Sequence, residues 1–169
     1  MNRNYADPKL IVVAQDLAQH MEAQFPGTVT LTLDGSFPLF DGVPLLPHLS
    51  HDDGEKLDLA YYYEGAEGYV PGRTRSPLGY FAFEQGPTDC PPRRLTLRWD
   101  LDWLQGLFPD LALDRTRTAE ALRVLGQDPR LGRIFVEPHL RESLSVGGAR
   151  FGFQGCRAAR HDDHIHIQL

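Results

Sequence analysis

The sequence predicts an α+β fold: a small central antiparallel sheet with flanking helices and long loops. Three observations carry that prediction. Segments with helical and strand periodicity follow one another without the regular alternation of a doubly wound α/β protein. The length of 169 residues suits one domain, 1–169, large enough to bury a core without a structural metal. Sixteen glycines and 13 prolines point to short elements joined by long loops. No internal repeat, low-complexity tract or linker interrupts the chain.

Asp7-Pro8 has the form of a helix cap followed by proline at the first helical position. Leu10, Ala14, Leu17 and Met21 then recur at helical spacing, predicting a helix over 8–24 that ends near Pro26-Gly27. Residues 28–33 alternate, with Val29, Leu31 and Leu33 on one side, and read as a strand. Residues 34–57 are rich in Gly, Pro, His and Asp and read as loop. A strand over 57–63 carries three consecutive tyrosines, and 64–77 reads as a long surface loop. A short strand over 79–83 and a turn-rich stretch over 85–94 follow. Leu101, Leu104, Leu107 and Phe108 repeat at helical spacing. A further helix is expected over 116–125, with Ala119, Leu122 and Leu125 inward. A strand over 133–136, a helix over 138–144 starting on proline, and strands over 149–153 and 163–169 complete the reading.

The formal charge of −6, spread along the chain, argues against a nucleic-acid partner, which favours a basic face. No run of 18 apolar residues offers a membrane span. The first residues lack the charged-then-apolar design of a signal peptide, so residence in the cytoplasm and removal of an export segment both stay open. Cys90 and Cys156 form no CxxC motif; they are either one disulfide or two free thiols.

Five of the seven histidines fall in two clusters. The first runs His48-Leu49-Ser50-His51 and reaches Asp58 seven residues after His51; the second is His161-Asp162-Asp163-His164-Ile165-His166. Catalytic zinc takes three N or O ligands from protein and keeps a fourth position open, and these clusters supply that kind of donor set. His164 and His166 are two apart, so on a strand they share a face while Ile165 and Ile167 point into apolar packing. Asp58 stands inside Leu57-Asp58-Leu59-Ala60, where an unpaired carboxylate is costly and a metal would compensate it. Asp162 and Asp163 read first as solvated strand-edge acids and second as residues that orient the histidines. His20 and His139 read as ordinary surface or core residues.

At these residues the chain resembles the penicillin-insensitive murein endopeptidases, within the group that also holds lysostaphin-type peptidases, D-Ala-D-Ala metallopeptidases and the hedgehog signalling domain. The resemblance rests on His48-x2-His51-x6-Asp58 and His161-x2-His164-x-His166, with support from Arg133-Ile134-Phe135-Val136-Glu137-Pro138 and the Trp99-Asp100-Leu101 region. It touches most of 42–169; the first forty residues and the loop 64–77 have no counterpart. It implies a hedgehog- or D-Ala-D-Ala-peptidase-like fold. His51, Asp58 and His166 would bind zinc, His164 would be the general base or proton carrier, and His48 and His161 would be catalytic residues beside them, orienting ligands or stabilising the oxyanion. It implies a zinc metallopeptidase, a hydrolase of the periplasm or cell envelope. Its partners would be peptidoglycan peptides, cleaved at D-alanyl to diaminopimelyl cross-links. Arg73, Arg75 and Arg160 are candidates to meet substrate carboxylates, and Tyr61, Tyr62, Tyr63 and Tyr69 to line a groove. The alternatives are a non-catalytic zinc-containing binding module of the same fold and a D,D-carboxypeptidase or dipeptidase.

Overall fold

The computed structural model describes residues 3–38, 41–43, 45, 48, 50–91, 98 and 101–169. The Trp99-Asp100 pair that contributes to the resemblance lies outside them, as do residues 92–94 of the turn-rich stretch.

Helix α1 spans Pro8–Gln24, as its cap and periodicity predict. The Asp7 carboxylate accepts the Lys9 N–H at 2.7 Å, and Leu10, Val13, Ala14, Leu17 and Met21 are buried. It packs against α3, Arg115–Gln127, capped by Asp114, whose carboxylate accepts the Arg117 N–H at 2.9 Å. The buried face of α3 is Thr118, Ala121, Leu122 and Leu125, so Ala119 sits at its margin rather than in its centre. Two shorter helices are α2, Asp102–Gln105, and α4, Pro138–Ser143. Only one turn of the expected 101–108 periodicity is helical, and Trp103 and Leu107 face solvent.

The main sheet has the order β1-β7-β5-β6, from β1 Lys56–Ala60, β5 Arg133–Phe135, β6 Phe151–Gly152 and β7 His164–Gln168. β7 runs antiparallel to β1 and β5, but β6 joins β5 in parallel, so the sheet is not wholly antiparallel as expected. In the β1/β7 ladder Leu57 pairs with Ile167 and Leu59 with Ile165, while Asp58 pairs with His166 and Ala60 with His164. Leu57, Leu59, Ile165 and Ile167 join the core with α1 and α3. The opposite face therefore collects Asp58, His164 and His166. Side chains alternate with period two, so a one-residue slip would drive the carboxylate and both imidazoles into the apolar core.

A second, antiparallel sheet has the order β3-β2-β4, from β2 Tyr63–Gly65, β3 Gly68–Tyr69 and β4 Ala112–Leu113. The expected strand over 57–63 is thus two strands in two sheets, broken at Tyr61 and Tyr62. A hairpin occupies the start of the expected loop 64–77. Residues 28–33 are not a strand. They meet β1 through one bridge, Thr32 to Leu59, and Val29 is exposed while Leu31 and Leu33 are half-buried. Leu33 N–H donates to Asp58 O at 2.8 Å and Asp34 O accepts Asp58 N–H at 2.8 Å. Two residues opposite one make a bulge, which fixes the Asp58 backbone and ends regular pairing. Residues 79–83 also form no strand. Gly79 has a left-handed backbone at φ +81, and a Cβ there would stand 2.4 Å from Leu33 Cδ2, so the turn requires glycine.

Cys90 and Cys156 are joined in a disulfide. It ties the loop leaving Phe83 to the segment entering the second histidine cluster. Closing a 66-residue separation stabilises by about 4 kcal/mol on the chain-entropy model. The Cys90→Ser, Cys156→Ser double variant is expected to lose about 2–4 kcal/mol in urea unfolding; an unchanged midpoint would refute that contribution. No helix among the described residues is long and apolar enough to cross a membrane.

Candidate metal centre

Loop and sheet converge on one buried cluster. β1 brings Asp58 and β7 brings His164 and His166, while the loop before β1 brings His48 and His51 over the same face. His161, just before β7, folds back so that its ring centroid lies 4.9 Å from that of His164 and 5.5 Å from that of His166. All six residues singled out from the sequence are therefore together. Asp58, His51 and His164 are fully buried, and His48 is the most exposed of the six at 7%.

His51 Nδ1 lies 2.9 Å from the Gly35 carbonyl and donates to it, so the neutral ring carries its lone pair on Nε2. That Nε2 lies 3.0 Å from His166 Nδ1 and 3.3 Å from Asp58 Oδ1, and His166 Nδ1 lies 3.0 Å from the same oxygen. Donors around a tetrahedral zinc with bonds of about 2.0–2.1 Å stand about 3.3 Å apart. Three donor atoms at 3.0–3.3 Å thus fit that ion. His48 Nδ1 approaches Asp58 Oδ2 at 2.7 Å, and His48, His51 and Asp58 also form a group close enough to hold a metal ion, with donor atoms within 4.8 Å of one another. Both sets share His51 and Asp58; they differ in the third imidazole. His164 Nε2 and His166 Nε2 are buried with no hydrogen-bond partner, which leaves the cluster with more nitrogen than its own hydrogen bonds satisfy.

The electrostatics follow from this crowding. Burial pushes the Asp58 carboxyl up, but His51, His164 and His48 and the hydrogen bond from His166 outweigh it and hold it well below the usual carboxylate range. Burial lowers His164, yet Asp58 and Asp163 outweigh it and push the imidazole up to about 9. His51 is raised in the same way, its burial outweighed by Asp58. Burial dominates at His166 and at His161; neighbouring imidazoles help hold His161 well below its ordinary value, and so neutral.

Three further contributors were not singled out as site residues, although Phe135 and Glu137 lie in the segment that supports the resemblance. Tyr80 packs edge-on against His48 and His164, and its hydroxyl donates to Asp58 Oδ2 at 2.8 Å while accepting the Asp34 N–H at 3.0 Å. Tyr80→Phe is expected to cost about 1–3 kcal/mol in chemical denaturation, because it leaves a buried oxygen and a buried N–H short of a partner. Phe135, opposite His166 in the ladder, closes the other side against His161 and His166. Glu137 accepts the His161 N–H at 3.2 Å and pairs with Arg98 through both oxygens.

Asp162 and Asp163 are not solvated edge acids: both are buried, Asp162 pairing with Arg160 and Asp163 meeting His164. Arg75 is paired with Glu84, so it and Arg160 already have carboxylate partners within the chain; Arg73 is exposed. Tyr61, Tyr62 and Tyr63 lie in the core, with Tyr61 donating to the His161 carbonyl at 3.0 Å and Tyr62 bonded to Thr30, while Tyr69 bonds the Val29 backbone. Of these, Tyr61 braces the site through His161, and Tyr61, Tyr62 and Tyr63 are buried rather than open to a groove. His139 bonds the Glu84 carbonyl and His20 pairs with Glu120, both outside the cluster.

No protein-family model matches the chain, and no curated protein matches it significantly. What the centre does is therefore a question for its own geometry.

Proposed function

We propose that this chain is a zinc-dependent endopeptidase of the murein endopeptidase kind, hydrolysing peptide cross-links of peptidoglycan at D-alanyl to diaminopimelyl bonds. The observation that carries the reading is the triangle of His51 Nε2, Asp58 Oδ1 and His166 Nδ1 with the unpartnered Nε2 of His164 3.7 Å from that same Asp58 oxygen. His166 is preferred to His48 as third ligand because its donor lies at hydrogen-bond distance from both other donors. The disulfide supports residence in the periplasm or cell envelope, where such bonds persist.

Zinc held there supplies Lewis-acid chemistry, lowering the pKa of a coordinated water to about 7 and polarising the scissile carbonyl. The chain's own residues do the rest. The Gly35 carbonyl and the Tyr80 hydroxyl orient His51 and Asp58 as ligands. His164 Nε2 takes the proton of the attacking water and returns it to the leaving amine. His161 and His48, whose rings lie 4.9 and 4.8 Å from that of His164, would orient ligands or stabilise the oxyanion.

Digestion of purified cross-linked muropeptides by the zinc-replete chain, read by mass spectrometry, tests the reading. Conversion of dimers to monomers is expected; no cleavage across several cross-link types would sink it. A second reading, a zinc-containing binding module without turnover, is favoured by one observation: His51, Asp58 and His164 are closed to solvent. It expects zinc in the purified chain and intact muropeptides in the same assay.

A further inference from the structure

We propose that Asp163 is a positioning residue: in the neutral His164 ring its carboxylate fixes the proton on Nδ1 and so leaves the lone pair on Nε2. The inference rests on the reading of His164 as the proton carrier. Asp163 Oδ1 lies 2.5 Å from His164 Nδ1, and its other oxygen accepts the Phe81 N–H at 2.6 Å. Adjacent residues of an extended strand point to opposite faces, so this pairing is not what strand geometry gives. It arises because 162–163 form a bend ahead of β7, which turns the Asp163 side chain back onto the ring.

A neutral imidazole carries one proton, and a carboxylate only accepts, so the carboxylate at Nδ1 places that proton on Nδ1. The remaining lone pair then sits on Nε2, the nitrogen that has no partner and lies 3.7 Å from Asp58 Oδ1. The same carboxylate does a second job. Phe81 has φ 66, a left-handed backbone that is strained for a bulky residue, and it is held from both ends: Asp163 takes its N–H and Gln105 donates to its carbonyl at 2.5 Å. The neighbouring Tyr80 is thereby seated to donate to Asp58. One buried acid thus sets both the proton position of His164 and the loop that braces Asp58.

Asp163→Asn separates the two jobs. Its one carbonyl oxygen continues to accept the Phe81 N–H, because the amide NH2 facing that N–H would oppose donor to donor. The NH2 then faces His164 Nδ1 and requires it to accept, which moves the ring proton to Nε2. The test is nitrogen NMR of the zinc-loaded chain, labelled at histidine, at a pH where the His164 ring is neutral. The expected wild-type result is a protonated Nδ1 and a bare Nε2; Asp163→Asn reverses the pair with zinc content unchanged. Turnover of cross-linked muropeptides should fall about 10²- to 10⁴-fold in kcat with little change in KM. Asp162→Asn, which alters the Arg160 partner, should leave the His164 proton where it is. An unchanged tautomer in Asp163→Asn overturns the proposal, as does a reversed tautomer with wild-type kcat. If the wild-type chain cleaves no muropeptide, the endopeptidase reading fails by itself; the ring proton then decides the positioning role alone.

Discussion

Asp58→Asn is expected to empty the centre of zinc and to destabilise the metal-free chain by about 3–5 kcal/mol. The size follows from what the carboxylate holds together. It is fully buried and lies within 3.3 Å of donor atoms on His48, His51 and His166, with Tyr80 donating to it as well. Removing one partner of a buried charged cluster leaves the others uncompensated. His51 and His164 can shed their protons in response, so the low end of that range is expected. Urea unfolding with chelator present gives the stability, and plasma emission gives the metal. A stability loss below about 1 kcal/mol would contradict the account, since exposed pairs are worth no more than that.

The same carboxylate gives the metal-free chain a pH profile. Asp58 has a depressed pKa in the folded state, so its contribution is present above the ordinary carboxylate range and is lost as pH falls through the folded value. His164 is raised, so its contribution is complete below the ordinary imidazole pKa of about 6.5 and is lost as pH rises through about 9. His161 and His166, held below their ordinary value, withdraw stability as pH falls below about 6.5, so across roughly pH 4 to pH 9 the metal-free chain should be most stable near pH 6.5. Unfolding titrations across that range check it; stability that climbs from neutral pH to pH 9 would contradict the assignment of the His164 shift.

The second large effect is His164→Ala: zinc retained, turnover of muropeptides lowered about 10²- to 10⁴-fold, the usual contribution of a positioned acid–base group. His164 shares a face of β7 with His166, but its Nε2 lies 3.7 Å from Asp58 Oδ1, against 3.0 Å for His166 Nδ1. Its other nitrogen is engaged by Asp163. It borders the donor triangle without belonging to it. Loss of zinc in His164→Ala, or turnover within threefold of wild type, would reverse the assignment of roles.

The reach of sequence reasoning here has a physical boundary. Helix α1 was legible because a side-chain cap and an apolar repeat agree there, and α3 from its apolar repeat alone. The face of β7 was legible because period-two alternation separates imidazole from isoleucine without ambiguity. The clusters met as expected because strand pairing of Asp58 with His166 places them on one face. What escaped was set by tertiary contact. Residues 28–33 alternate like a strand, but the bulge at Asp58 diverts them into an irregular edge. Residues 79–83 look like a strand, yet Phe81 has its N–H and carbonyl bonded to side chains far away in sequence, Asp163 and Gln105. Tyr80 reaches Asp58 only through that loop, and no spacing in the chain announces it. Burial of Asp163 depends on the bend ahead of β7, where strand rules stop applying.

The account stands or falls on which side chains hold the metal, and zinc per chain in three proteins decides it most directly. After dialysis against a weak chelator, the wild-type chain is expected to keep one zinc, His48→Ala to keep it too, and His166→Ala to hold almost none. Full occupancy in His166→Ala, or loss of zinc in His48→Ala alone, would contradict the triangle of His51, Asp58 and His166.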